Sequence, residues 1–292
     1  MKKKILILGA NGLLGNSMLK YFCSTNLYSV ACTVRDSSLF KKIKVNKNLF
    51  KLYENVDANK QENFEAIFEK FTPDIVINCI GIIKQNQELN DQYQVIKLNS
   101  LLPHYLAQLS KVYSARFIHF STDCIFSGNR GNYKESDTPD ATDFYGKSKL
   151  LGEINHPNMI TVRTSIIGHE LNGAKSLLEW FLSQNKNIKG FNRFIFTGFP
   201  SNEIARIIDK YVIPNSNLNG IYHVSSDPIS KFDLLLLVNN VYSKNIKIIP
   251  DERIKIDRSL DSSLFRKLTG FKPKSWSVMI KEMKNLNDFF LN

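Results

Sequence analysis

At 292 residues, 43% hydrophobic and 23% charged, the chain has the length and composition of a soluble globular protein of one or two domains with a large core. No stretch approaches the roughly 20 apolar residues of a membrane-spanning helix, and the run Ile5-Leu6-Ile7-Leu8 stops at Gly9, short of the roughly 7–15 residues of a secretory leader. The net charge of +12 is carried by lysines scattered through a Lys- and Asn-rich chain, so an anionic small molecule is the expected partner, not nucleic acid or a membrane.

In chain order, Lys4–Leu8 is a continuous apolar run, as in a parallel strand buried on both faces, and Leu13–Phe22 has helical apolar spacing. Tyr28–Val34 and Leu49–Tyr53 read as strands, joined by a solvated connection at 41–51. Glu62–Phe71 is a helix ended by Pro73, followed by the strand Asp74–Cys79, the long helix Asp91–Leu109 and the strand Ala115–Phe120. Phe144–Ile154 is a further helix and Met159–Arg163 a strand. Repeated βα units of this kind predict an α/β fold with a doubly wound parallel sheet.

Beyond about residue 165 the rhythm loosens. Helices are expected at Leu177–Ser183, Asn202–Tyr211, Lys231–Val241, Leu260–Leu268 and Val278–Phe289, and short strands at Phe194–Thr197 and Ile221–Val224. With no Pro-, Gly- or Ser-rich linker, this part is a small lobe packed on the sheet. Cys23, Cys32, Cys79 and Cys124 form no CxxC pair and have no companion histidine spacing. Reduced thiols, no metal site and a cytoplasmic location follow as expectations.

Gly9-Ala10-Asn11-Gly12-Leu13-Leu14-Gly15 joins the first strand to the first helix. Its spacing is GxxGxxG, and its physics is that of a dinucleotide turn. Glycines permit a tight turn and close approach to a pyrophosphate, and the free N–H groups of the helix start hold the anion. Gly9, Asn11, Gly12, Leu13, Leu14 and Gly15 are therefore candidate cofactor residues. At the end of the second strand Arg35 precedes Asp36; an arginine there accommodates a 2′-phosphate, an acid a 2′-hydroxyl. NADP(H) is favoured and NAD(H) stays open. Val56 and Asp57 follow the third strand, where Asp57 either caps the next helix or meets the adenine. Cys79 and Gly81 end the fourth strand at the ligand edge of the sheet.

Tyr145-Gly146-Lys147-Ser148-Lys149 places a phenol and an ammonium four residues apart, on one helix face. A cation beside a phenol favours the phenolate, lowering a pKa that starts near ~10 and equipping the pair for proton transfer. The strand end Ser121-Thr122-Asp123 brings hydroxyls to the same sheet edge, where one can hold a carbonyl oxygen together with Tyr145.

With Gly9/Gly12/Gly15, Asn99, Ser121-Thr122-Asp123, Tyr145-x-x-x-Lys149, Arg163-Thr164-Ser165, Gly198-Phe199-Pro200-Ser201 and Gly220-Ile221-Tyr222-His223-Val224-Ser225, nearly the whole chain resembles an extended short-chain dehydrogenase/reductase of the dTDP-4-dehydrorhamnose reductase group. The resemblance implies a Rossmann-type domain over residues 1–165. It also implies a substrate-binding lobe over 166–292, partly interleaved with the first domain around 193–212. It makes Thr122 the catalytic hydroxyl, Tyr145 the proton donor, Lys149 the ligand of the nicotinamide ribose and Asn99 a support of the lysine's proton relay. Ser121, Asp123, Ser165 and Arg258 are candidate substrate residues, Arg258 for a substrate diphosphate. Two departures concern the substrate: Cys124 stands where that group has an aromatic residue, and the segment 82–87 differs from its loop.

Dehydratases of the superfamily carry Asp-Glu after the threonine, and Thr122-Asp123-Cys124 lacks the Glu. The expectation is an NADPH-dependent 4-keto reductase acting on a nucleotide-linked deoxysugar in surface-polysaccharide synthesis. An NAD-retaining epimerase and a non-catalytic regulatory subunit are the alternatives, and a homodimer stays open.

Overall fold

The computed structural model describes residues 1–38, 45–84, 91–171 and 173–291. Residues 41–44 of the connection 41–51 thus lie outside the described residues, as do 85–87 of the departing segment. The strands β1 (Lys4–Leu8), β2 (Ser29–Thr33), β3 (Phe50–Tyr53), β4 (Ile75–Asn78), β5 (Arg116–Ser121) and β6 (Met159–Arg163) all pair in parallel, with β7 (Ile166–Ile167) just beyond. The helices between them are α1 (Leu13–Thr25), α2 (Gln61–Phe71), α3 (Gln92–Val95), α4 (Leu102–Val112) and α5 (Phe144–Leu151).

Downstream come α6 (Leu177–Ser183), β8 (Ile188–Phe191), β9 (Phe194–Phe196), β10 (Phe199–Pro200), α7 (Ser201–Ile207), β11 (Gly220–His223), β12 (Ile229–Ser230), α8 (Lys231–Val241), β13 (Ile248–Asp251), β14 (Ile256–Asp257), α9 (Ser263–Thr269) and α10 (Trp276–Leu291). The sheet order is β11-β6-β5-β4-β1-β2-β3, so the chain reverses direction across the sheet between β1 and β4. In open α/β sheets that switch point is where ligands bind.

Ile5 to Leu8 are wholly buried because both sheet faces are covered. Ile5 and Ile7 pack with α1, α7 and α10, while Leu6 and Leu8 pack with α2 and α4. The seventh strand, β11, comes from the second half of the chain and pairs with β6. The lobe has a core of its own around Phe181, Leu234, Val238 and Ile248, and α10 joins the two cores by placing Met279 in one and Ile280 in the other.

The expected helix over 91–109 is interrupted. Between α3 and α4, residues Ile96–Leu101 form a π-helical turn, a form frequent at functional sites. The expected helix 144–154 ends earlier, and a Cβ at Gly152 would lie 2.0 Å from the Asn99 carbonyl oxygen, so α5 ends directly on the π turn. The helix expected from Leu260 starts at Ser263. Leu260 is instead extended, bridged to Tyr133 and accepting from Ser225 Oγ at 2.7 Å. β9 matches the strand expected at Phe194–Thr197, whereas its partners β12 and β14 and the pair β8–β13 escaped the sequence reading because each of those strands is too short to show an alternating pattern.

Candidate active site

The turn after β1 is held from both sides. Gly9 N donates to Thr33 Oγ1 at 3.1 Å and Ala10 N to Thr33 O at 2.9 Å. Gly9 has φ +83°, and a Cβ on Gly15 would lie 2.3 Å from Gly9 O, so both glycines are demanded from within. Gly12 differs: its Cβ would meet only Gly9 O at 3.5 Å, an ordinary contact. No side chain caps α1 at Gly12, and its first turn carries no acid. Leu13, Leu14 and Gly15 therefore open a helix whose first N–H groups and positive dipole end suit a pyrophosphate, which is the fit a dinucleotide requires. Asn11 Nδ2 donates to Asp36 O at 2.7 Å, tying this turn to the end of β2.

Arg35 is exposed at that end. The Asp36 carboxylate accepts from Ser38 N at 2.8 Å, and the Ser38 hydroxyl and amide hold it below the usual carboxylate range. Asp57 accepts from Asn59 N at 3.0 Å and Asn59 Nδ2 at 3.1 Å, closing a turn ahead of α2; the N-cap position of α2 is Lys60, so Asp57 does not cap that helix. Val56 is buried beside it, its N–H on Val34 O at 3.0 Å.

Thr122 directly follows β5 and caps a tight turn over Asp123–Ile125, accepting from Cys124 N at 3.1 Å. Asp143 caps α5 through Gly146 N at 2.8 Å. A Cβ on Gly146 would sit 2.2 Å from Cys124 O, so only glycine lets the start of α5 lie against this turn. That contact sets Tyr145 beside the turn, where the Thr122 hydroxyl, itself donating to Asp123 Oδ1 at 3.2 Å, acts on its phenol.

The expected lowering of the Tyr145 pKa is corrected here. Burial drives the phenol well above its ordinary range, with Cys124, Asp123 and Asp143 acting in the same direction and Thr122 opposing. Lys149 does not offset this, because its Nζ donates to Phe120 O at 2.6 Å. Burial lowers the Lys149 pKa to about 8, while Glu153 and Cys79 pull it back up. Tyr145 is thus a protonated acid at neutral pH.

Gly81 lies above Lys149, where an added Cβ would be 3.9 Å from Nζ and 3.2 Å from Asn99 Oδ1. Asn99, on the π turn, is wholly buried. Its Nδ2 donates to Ile82 O at 3.0 Å and Ser148 Oγ at 3.1 Å, and its Oδ1 accepts from Ile82 N at 2.8 Å. The side chain is spent on fastening the loop after β4 to α5, so any support for Lys149 is indirect.

Ser121 is the second correction. Its hydroxyl donates to Glu153 Oε1 at 2.6 Å, inside a buried ion pair in which Arg163 reaches Glu153 at 2.8 and 2.7 Å. Its hydroxyl is thereby committed to Glu153, beneath the site. Asp123 is buried at the turn, and Ser165 O is taken by Phe199 N at 2.9 Å. Arg258 Nε donates to Phe126 O at 2.8 Å, and its charge acts on Cys124 and Asp143. Sequence reasoning missed Lys84 and Lys231, which act on Cys124 and on each other. A lysine opening the helix Lys231–Val241 was the available signal, since cations disfavour helix starts.

The fold and the meeting of Thr122, Tyr145 and Lys149 at the switch-point edge define an NAD(P)-dependent oxidoreductase of the short-chain dehydrogenase/reductase type. The chain belongs to the family described as RmlD substrate binding domain, whose model matches residues 2–287. It is 24% identical to a dTDP-4-dehydrorhamnose reductase of Aggregatibacter actinomycetemcomitans, over 96% of this chain and 98% of the relative. It is 22% identical to methionine adenosyltransferase 2 subunit beta of Danio rerio, over 82% of this chain and 74% of the relative. Among solved structures, dTDP-4-dehydrorhamnose reductase of Bacillus anthracis in complex with NADP superposes with a TM-score of 0.77 at 20% identity, covering 98% of this chain and 99% of that one.

Proposed function

We propose that this protein is an NADPH-dependent reductase of a nucleotide-linked 4-keto-6-deoxysugar serving surface-polysaccharide synthesis. The observation that carries the reading is the half-buried, protonated Tyr145 phenol beside the Thr122 turn. When bound, the reduced nicotinamide supplies a hydride to the ketone carbon. Tyr145 delivers a proton to the ketone oxygen, which the Thr122 hydroxyl holds in line. Lys149 steadies the phenolate left behind and binds the nicotinamide ribose. Asn99 keeps α5 and the loop after β4 in register. Gly9, Asn11, Gly12, Leu13, Leu14 and Gly15 surround the pyrophosphate, Arg35 the 2′-phosphate, Val56 and Asp57 the adenine side, and Cys79 and Gly81 the nicotinamide side. Asp123, Ser165 and Arg258 line the sugar nucleotide.

The missing Glu at position 124 speaks against dehydration, and Arg35 favours exchangeable NADPH over a retained NAD. The test is loss of NADPH absorbance with a panel of nucleotide 4-keto-6-deoxysugars. Turnover without added reductant, with NAD copurifying, points to an epimerase and overturns the reading. A regulatory-subunit reading draws support from the likeness to methionine adenosyltransferase 2 subunit beta. It is opposed by the complete Thr122/Tyr145/Lys149 set, and it predicts no turnover on any member of the panel.

A further inference from the structure

Lys231 occupies a place that its own helix does not favour. It is the first residue of α8, at the positive end of the helix dipole, where acids such as Asp233 in the same turn are stabilising and a cation is not. The strand register explains how it reaches the cleft. In the antiparallel pair β12–β9, Ile229 faces Phe196 and Ser230 faces Ile195, which brings the next residue, Lys231, beside Phe194. Its Nζ lies 3.7 Å from the centroid of the Phe194 ring. On the other side of β9, the parallel strand β14 ends at Asp257 opposite Ile195, delivering Arg258 one residue later. The two cations thus flank β9.

Arg258 Nε donates to Phe126 O at 2.8 Å, two residues past Cys124, and the charges of Lys231 and Arg258 both interact with Cys124, which in turn acts on Tyr145. Lys231 is faced by Asp123, Cys124, Arg258 and Lys84, and burial together with the two neighbouring cations lowers its pKa. Lys84 is paired with Asp143 at 2.6 Å, whereas neither Lys231 nor Arg258 forms a salt bridge among the described residues. Among the described residues, three cations therefore meet two carboxylates, Asp123 and Asp143. Desolvating like charges side by side is unfavourable unless an anion joins them. The aromatic ring beneath Lys231 holds the ammonium in place without neutralising it.

We propose that Lys231, together with Arg258, grips an oxyanion of the substrate beside the reacting carbonyl and sets the specificity of the site for charged substrates. The proposal rests on the sugar-nucleotide reading above. The oxyanion belongs either to the diphosphate or to a carboxylate on the sugar, and the experiment separates the two.

Calorimetric binding of UDP and dTDP, steady-state kinetics on the keto-sugar panel with and without a sugar carboxylate, and thermal melting are compared for wild type, K231M and K231R. Loss of one charge-assisted contact in K231M weakens binding or raises KM by about tenfold or more, with kcat little changed and K231R recovering most of the loss. Weaker nucleoside diphosphate binding assigns the oxyanion to the diphosphate. A KM effect confined to carboxylate-bearing sugars assigns it to the sugar. If K231M melts like wild type yet its affinities and KM values stay within twofold, the proposal is wrong and the sugar-nucleotide reading survives. If wild type itself binds neither nucleotide and reduces no sugar, that reading fails and takes this one with it.

Discussion

Around Gly9–Gly15 the decisive contacts are backbone against backbone: Gly15 on Gly9 O, Gly9 on the start of the loop after β4, Ala10 on Thr33. Around Cys124 they are side chains from three distant segments, with Lys84 after β4, Lys231 at the head of α8 and Arg258 after β14. The first region is closed and largely satisfied before any ligand arrives. The second carries two cations, Lys231 and Arg258, that no described residue pairs in a salt bridge. A region built from backbone can accept one kind of ligand group and little else. A region built from side chains on separate loops can change its ligand one residue at a time.

The hinge between these regions is Tyr145, and its replacement is the largest expected effect. Tyr145→Phe removes the proton donor and lowers kcat by about 10²–10⁴-fold, while NADPH affinity measured by fluorescence titration stays within twofold. Substantial residual reduction would merge the two regions into a binding site without an acid. Next, the backbone region divides within itself. Gly15→Ala forces a Cβ onto Gly9 O and destabilises the fold by about 1–3 kcal/mol in denaturant melts. Gly12→Ala leaves the melt nearly unchanged but weakens dinucleotide binding; equal melting losses in both variants would show that Gly12, too, is required from within.

The smallest effect is in pH. Lys149 is charged below its pKa, which burial sets at about 8. Activity that needs the ammonium therefore falls as pH rises through about 8, a limb readable in kcat/KM at saturating cofactor. The folded state binds this proton less well than the unfolded chain. The same group therefore makes stability rise with pH between about 8 and the ordinary lysine range.

What the sequence revealed follows the same division. β1, the glycine turn and the Tyr145/Lys149 pair are local patterns: a run of apolar residues, a glycine spacing, a four-residue repeat. They were legible because each is decided within fifteen residues. Thr122 was legible as a strand end. The roles of Ser121 and Asn99 were not, since nothing local tells Ser121 that Glu153 and Arg163 lie beneath it, or Asn99 that Ile82 and Ser148 will take its whole amide. The sign of the Tyr145 shift was missed for a similar reason. Spacing places Lys149 on the right face, but only the fold shows its ammonium committed to Phe120 O and the phenol half-buried. Lys231 depends on a register between two strands of two and three residues, which no periodicity reports.

The π turn at Ile96–Leu101 makes the site sensitive to the length of its coding sequence as well as to its composition. Loss of any one codon ahead of Asn99 in that turn would give a regular α-helix with a full ladder of hydrogen bonds. Each residue advances a helix by about 100°, so the straightened helix would swing Asn99 off Ile82 and Ser148 and draw its carbonyl away from Gly152.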